Sequence, residues 1–192
     1  FFFISGIYDY DEKDENILIS MKRGEKKRVK RNNKIYKKFS DHIGFIPLVI
    51  ISPDDRNLII EGSETRRKFI DGLISQIDKE YLSKLIDYNK TLKQRNALLK
   101  MFFNQTEKLK KTIDIYDNSL SSSASIIFNK RSEFLKDFVP IFKKRYKQLS
   151  NEKESVEIEY KSDIKNQSNL YDLLKNNLEK DIRYQYTTNG TH

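Results

Sequence analysis

Cysteine and tryptophan are absent from the 192 residues, and only two histidines, three prolines and six glycines occur. Without cysteine there is no disulfide framework and no thiolate metal site. With His42 and His192 alone, a histidine metal cluster is excluded, and a serine, histidine and acid triad has no support. No apolar run approaches the roughly 18 residues that span a bilayer, and the opening "FFFISGIYDYDEKDEN" has no basic n-region or small-residue cleavage site. The expectation is a soluble cytoplasmic protein with no membrane partner. None of Gly6, Gly24, Gly44, Gly62, Gly72 and Gly190 is followed by lysine. A P-loop needs that step so that backbone N–H groups and a lysine wrap the phosphates, so the chain cannot by itself build such a nucleotide cradle.

Residues that are present point to a large surface over a modest core. Apolar residues make up 37% and charged residues 34%, with a net charge of +9. That length suits one domain with a real core, or a small domain carrying a second lobe, and the polarity suits an elongated or helical-hairpin shape. A start at Phe1 and a stop just after "TTNG" read as cuts from a longer protein.

The positive charge is concentrated. Residues 22 to 38, "KRGEKKRVKRNNKIYKK", hold ten cations against Glu25, so the whole excess lies there. Extended segments on either side of Asn32-Asn33, a pair that tolerates positive φ, predict a hairpin ribbon. Lys26, Lys27, Arg28, Lys30, Arg31 and Lys34 are its candidate phosphate contacts, giving salt-sensitive, sequence-independent nucleic-acid binding. Tyr8, Tyr36 and Phe39 nearby could stack on bases or serve as cross-strand partners. A solvated edge ribbon is the alternative, because edge lysines also prevent sheet-to-sheet pairing.

Patterning predicts an antiparallel hairpin over 1–8 and 16–21, and a strand buried on both faces over "FIPLVIIS", 45–52. From residue 63 the period becomes helical through Phe69, Ile70, Leu73, Ile74 and Ile77. A second helix, capped by Asp78, carries Tyr81, Leu82, Leu85, Leu92, Leu99 and Phe102. Another helical pattern runs from Ile113 to Phe138, with Pro140 set to kink or divide it. "SVEIEYKS", 155–162, alternates as a half-buried strand does; a helix over about 166–180 and a strand "IRYQYTT" follow. The class is α+β.

Several polar positions carry two readings. In "SPDD", Ser52 is a good N-cap, Pro53 suits the first helical position, and Asp54 and Asp55 favour the positive end of the helix dipole. Capping therefore explains the acidic pair on physics alone. Ser63 is read as the next cap. Arg66 and Arg67 then sit in a first turn, against the dipole, which suggests a phosphate or carboxylate partner. In "LKQRNALLK", Arg95 and Asn96 fall on or beside the buried stripe, next to Gln94; they either satisfy a buried polar contact between helices or face a partner.

The stretch "GFIPLVIISPDDRNLIIEGSETRRKFIDGLISQIDKEYLSKLIDYNKTLKQRNALLK" resembles the RecF family of bacterial DNA replication and repair proteins. The likeness continues through "IYDNSL", "FNKRSEFLKDFVPIFKKRY", "ESVEIEYKS" and "YTTNGTH", over nearly the whole chain. It implies part of an ABC-ATPase-like sheet lobe, residues 1–62 and 153–192, with an inserted helical lobe at 63–152. It also implies ATP and Mg2+ in a full-length parent, with the P-loop before Phe1 and the signature and Walker B motifs after His192. Its implied partners are single- and double-stranded DNA, RecR and RecO, RecA indirectly, and a second copy in an ATP-dependent homodimer. By the same analogy Ser52, Asp54 and Asp55 occupy a Q-loop-like, nucleotide-sensing turn, and Arg66, Arg67, Gln94, Arg95 and Asn96 are interlobe or interface candidates. Two departures stand out: Asn189-Gly190-Thr191-His192 replaces a Gly-Pro-His turn, and Asp54 stands where many relatives carry glutamate. Other readings are another short-armed SMC-like ATPase, or a non-enzymatic basic module tethering nucleic acid or ribosomes.

Overall fold

The computed structural model describes residues 1–164 and 169–191. These form two compact units, one over residues 1–51 and one from residue 52 onward.

In the first unit, β1 (Phe2–Tyr10) and β2 (Lys13–Met21) pair antiparallel, and β3 (Arg28–Arg31) and β4 (Lys34–Ile35) extend the sheet in the order β1-β2-β3-β4. Both two-residue turns adopt positive φ: Asp11 and Glu12 at 56° and 59°, Asn32 and Asn33 at 47° and 66°. That geometry matches the right-handed twist of the flanking strands. Register sets Ile17 opposite Arg31 and Ile19 opposite Val29. Alternation then puts Glu15, Ile17, Val29 and Arg31 on one face, where the first three are buried.

Residues 45–52 do not form the predicted strand. Leu48, Val49, Ile50 and Ile51 are exposed by 61%, 76%, 73% and 90%, and no ladder partner adjoins them among the described residues. A continuous apolar run signals a need for cover on both faces, but it cannot state what supplies the cover.

The second unit is helical. A short 3-10 turn (Pro53–Arg56) leads into α1 (Asn57–Ile60), then α2 (Ser63–Ile77), α3 (Lys79–Met101), α4 (Thr106–Leu149), α5 (Leu170–Asn176) and α6 (Leu178–Tyr184). Asp78 caps α3 as predicted: its carboxylate accepts from the Tyr81 amide at 2.9 Å and pairs with Lys130 at 2.7 Å. Ser63 is not a cap. Gly62 takes that position, and Ser63, the first helical residue, accepts a hydrogen bond from Arg67 at 2.9 Å.

Helices α3 and α4 pack as a hairpin, and their apolar seams meet. Tyr81, Tyr88, Leu120, Ala124 and Ile127 bury together with Ile74 of α2 and with Leu170 and Leu174 of α5; Leu99, Leu109 and Ile113 form a second cluster. Pro140 lies inside α4 without dividing it. Beyond that hairpin, Phe134, Phe138, Phe142 and Tyr146 stack at four-residue steps with ring centroids 5.6, 5.8 and 6.2 Å apart.

Two further strand predictions give way. Residues 155–162 form no ladder among the described residues and lie along α4: Lys143 pairs with Glu157 at 3.4 Å and Phe128 stacks on Tyr160. Period-two alternation reports a half-covered extended chain, and here the cover is a helix. The "IRYQYTT" run begins inside α6, and Gln185 ends that helix in a left-handed conformation. Leu178 and Ile182 share a helical seam against the Leu99 cluster, and this packing overrides the β-propensity of Ile and Tyr. The predicted helix over 166–180 is divided at Asn177; its residues 166–168 lie outside the described residues.

Candidate functional site

The ribbon cations occupy two environments. Arg28 and Lys30 point to one face of β3, and Val29 and Arg31 to the other. Arg31 is held in a bidentate pair with Glu15, at 2.8 and 2.5 Å, and its guanidinium lies 3.7 Å from the centre of the Phe45 ring. Asn32 adds a third hydrogen bond to the same carboxylate at 2.7 Å. The Arg31 hydrogen bond holds the Glu15 carboxyl below its usual range, and Glu15 in turn raises Arg31. Arg31 is thus part of the sheet's own structure.

Four other cations are available. Lys26, Lys27 and Lys34 are exposed, Lys30 is half-buried, and none of the four forms an ion pair among the described residues. Lys27 lies 5.7 Å from the Phe39 ring centre, and Phe39 is 49% exposed. Tyr8 is also exposed, while Tyr36 packs on His42. Glu25, the lone acid of the segment, is taken by Lys22 at 2.9 Å and Arg28 at 3.2 Å.

The "SPDD" turn is built as a reciprocal cap. The Ser52 amide donates to Asp55 Oδ2 at 2.6 Å, and the Asp55 amide donates to the Ser52 carbonyl at 3.0 Å. Asp54 is exposed. Arg66 donates to the carbonyls of Leu58 and Glu61 at 2.9 and 3.0 Å. A cation placed against the dipole of its own helix thereby sits at the negative end of α1. The first turn of α2 carries Glu64 and the 3-10 turn carries Asp54 and Asp55, the wrong sign for phosphate, and no glycine-lysine step opens a helix. No group of three metal-ligating residues occurs among the described residues.

Arg95 and Asn96 lie in a buried polar network. Arg95 is fully buried and donates to Asp117 at 2.6 Å, Asp181 at 2.7 Å and the Thr187 hydroxyl at 2.8 Å; its Nη2 is buried without a hydrogen-bond partner among the described residues. Asn96 accepts from the Thr187 amide and hydroxyl at 2.8 and 2.7 Å. Burial pushes the Asp117 carboxyl up despite Arg95. Gln94, one residue earlier, faces outward and is exposed.

A second buried arginine escaped sequence reasoning. Arg131 donates twice to Asp71, at 2.8 Å each, and to the Thr191 carbonyl at 2.7 Å, while Tyr81 donates to Asp71 at 2.5 Å. Tyr88 accepts from the Thr191 amide at 3.1 Å. One signal for this network is spacing: Asp117 follows Ile113 by four residues and Arg131 follows Ile127 by four, which sets both charges on the apolar seam of α4. The side chains of α3 and α4 so fix the main chain of residues 187–191.

No protein-family model matches the chain. It is 48% identical over all 192 residues to the DNA replication and repair protein RecF of Flavobacterium johnsoniae, covering 53% of that protein. Against the RecF proteins of Phocaeicola vulgatus and Bacteroides thetaiotaomicron it is 44% identical over 193 aligned positions, covering all of this chain and 51% of each relative. Two solved structures of the recombination mediator protein RecF of the RecFOR pathway, one with ATPrS and one with ATP, superpose with TM-scores of 0.88 and 0.87. Each is 30% identical, with 99% of this chain and 53% of the other covered. The chain is therefore RecF-family sequence in a RecF-family fold along its whole length, and it spans about half the length of the relatives it matches.

Proposed function

We propose that this chain works as part of a RecF-type ATP-dependent DNA-binding protein in DNA replication, recombinational gap repair and SOS induction. Its parent helps load RecA on single-stranded DNA together with RecO and RecR, in the cytoplasm at the nucleoid. ATP and Mg2+ act through residues outside this chain and drive homodimerisation. Residues 1–62 and 153–192 contribute to the ATPase lobe and 63–152 to the helical lobe. Ser52, Asp54 and Asp55 report nucleotide state at the junction, and Arg66, Arg67, Gln94, Arg95 and Asn96 serve between lobes or at an interface.

The observation that carries the reading is similarity to RecF over all 192 residues of this chain, combined with ribbon lysines that form no ion pair among the described residues. Lys26, Lys27, Lys30 and Lys34 supply cations that no acid of the described residues neutralises, so phosphate contact costs no internal ion pair. Ammonium groups on a hairpin contact the backbone of either DNA form without reading bases. Reversing the charge of these four lysines should weaken binding of a short duplex. It should also flatten the dependence of log K on log salt by about 0.9 for each phosphate that the ribbon no longer neutralises. An unchanged slope would remove the ribbon from the interface. Arg31 is left intact in this experiment, because it holds Glu15.

A further inference from the structure

On the outer side of the α3–α4 hairpin lies a polar groove of about 280 Å³, lined by Lys84, Asp87, Lys90, Thr91, Gln94, Ser119, Ser122 and Ser123. Residues 84, 87, 91 and 94 recur at three- and four-residue steps and so share one face of α3, while 119, 122 and 123 face them from α4. Thr91 and Ser119 bring their hydroxyls within 3.5 Å across the groove. Small serines set the floor low, and the longer α3 side chains form the wall. Lys84 and Lys90 make no ion pair among the described residues.

We propose that this groove is a second phosphate-binding site, for the backbone of a polynucleotide. It rests on the reading above that the chain binds nucleic acid, but it uses a different surface in the other unit. Its donor set is the one that positions phosphate oxygens: two ammonium groups, a carboxamide and four hydroxyls. No aromatic or apolar side chain lines it, so it lacks the desolvated anchor pocket that a tight protein partner uses. No base-stacking platform is present either, so binding is to the backbone and independent of sequence. Asp87 is the one feature that opposes an anion, and it tunes the site towards weak, reversible binding.

The test uses the 192-residue chain and a short DNA duplex, with binding followed over a series of salt concentrations. Lys84→Glu with Lys90→Glu should lower affinity and reduce the salt slope by up to about 2, at about 0.9 per phosphate. A matched control, Lys108→Glu with Lys111→Glu, makes the same charge change on exposed positions of α4 outside the groove. The charge-neutral Thr91→Val and Ser122→Ala should each weaken binding several-fold, and Asp87→Asn should tighten it. Equal losses in groove and control variants overturn the proposal, since diffuse charge then accounts for both. Unchanged affinity in the groove variants also overturns it, and leaves the groove to an acidic protein partner. Because the ribbon lysines are intact in every groove variant, the two sites fail separately: a weakening on groove reversal stands even where ribbon reversal has no effect.

Discussion

In residues 1–51 Lys26, Lys27 and Lys34 are exposed and Lys30 is half-buried, all four without an ion pair among the described residues, whereas Arg95 and Arg131 of the second unit are 0% and 3% exposed and each holds a carboxylate. The difference follows from the side chains. A lysine ammonium is a compact, strongly hydrated charge that stays in water and meets phosphate as a point charge. An arginine guanidinium is planar, less hydrated and presents a fork of donors, so burial against two carboxylates and a threonine hydroxyl is tolerable. Arg31 shows that the rule crosses the boundary between units: the one ribbon arginine beside a buried acid belongs to the sheet and not to the comb of free cations.

The sharpest way to break this contrast is to treat Arg95 as if it were an exposed cation. Arg95→Met leaves Asp117 and Asp181 buried and uncompensated, and should cost about 3–5 kcal/mol in denaturant unfolding. Asp117→Asn should cost distinctly less, about 1–2 kcal/mol, because Asp181 still neutralises the guanidinium. If the two variants unfold alike, the network is not held by charge.

Asp78 gives an intermediate case, part cap and part ion pair. Asp78→Ala should cost about 1 kcal/mol through loss of the α3 cap. Its hydrogen bond with Lys130, and then that with the Tyr81 amide, holds the carboxyl below the usual range. The stabilisation is therefore complete above the unfolded carboxylate value of about 3.9 and fades as pH falls through the lower folded value. Asp117 has the opposite sign. Its folded pKa is raised by burial, so its ionised form costs stability above that value and acidification relieves the cost. In stability measurements from neutral to acid pH, Asp78→Ala should flatten the acid loss and Asp117→Asn should steepen it.

The smallest expected effect sharpens the other side of the comparison. Lys30→Glu should change stability by no more than about 0.5 kcal/mol, because Lys30 is half-buried but holds no ion pair among the described residues. The same substitution should lower the salt slope of DNA binding by about 0.9. A large loss of stability would mean that Lys30 belongs to the sheet as Arg31 does.

Much of the helical unit is legible in spacing. The seams of α2, α3 and α4, the Asp78 cap and the hairpin turn at Asn32-Asn33 all follow from local periodicity or turn chemistry, and the structure contains them. The two units part at residue 51, beside the "SPDD" turn. Residues 45–52 and 155–162 carry strand patterns without forming strands, and for one reason. Their patterns describe how much cover an extended chain calls for, while a ladder also needs a neighbouring strand, which local sequence does not specify.

What the sequence determined by itself is the set of local commitments: the cations in residues 22–38, the caps and turns, the helical seams, and the missing glycine-lysine step. What only the tertiary structure decided is which charges are free. Glu15 meets Arg31 across 16 residues, Arg131 meets Asp71 across 60 and Arg95 meets Asp181 across 86. A charge on an apolar seam is tolerable only where folding delivers its partner, and no local pattern encodes so distant a meeting.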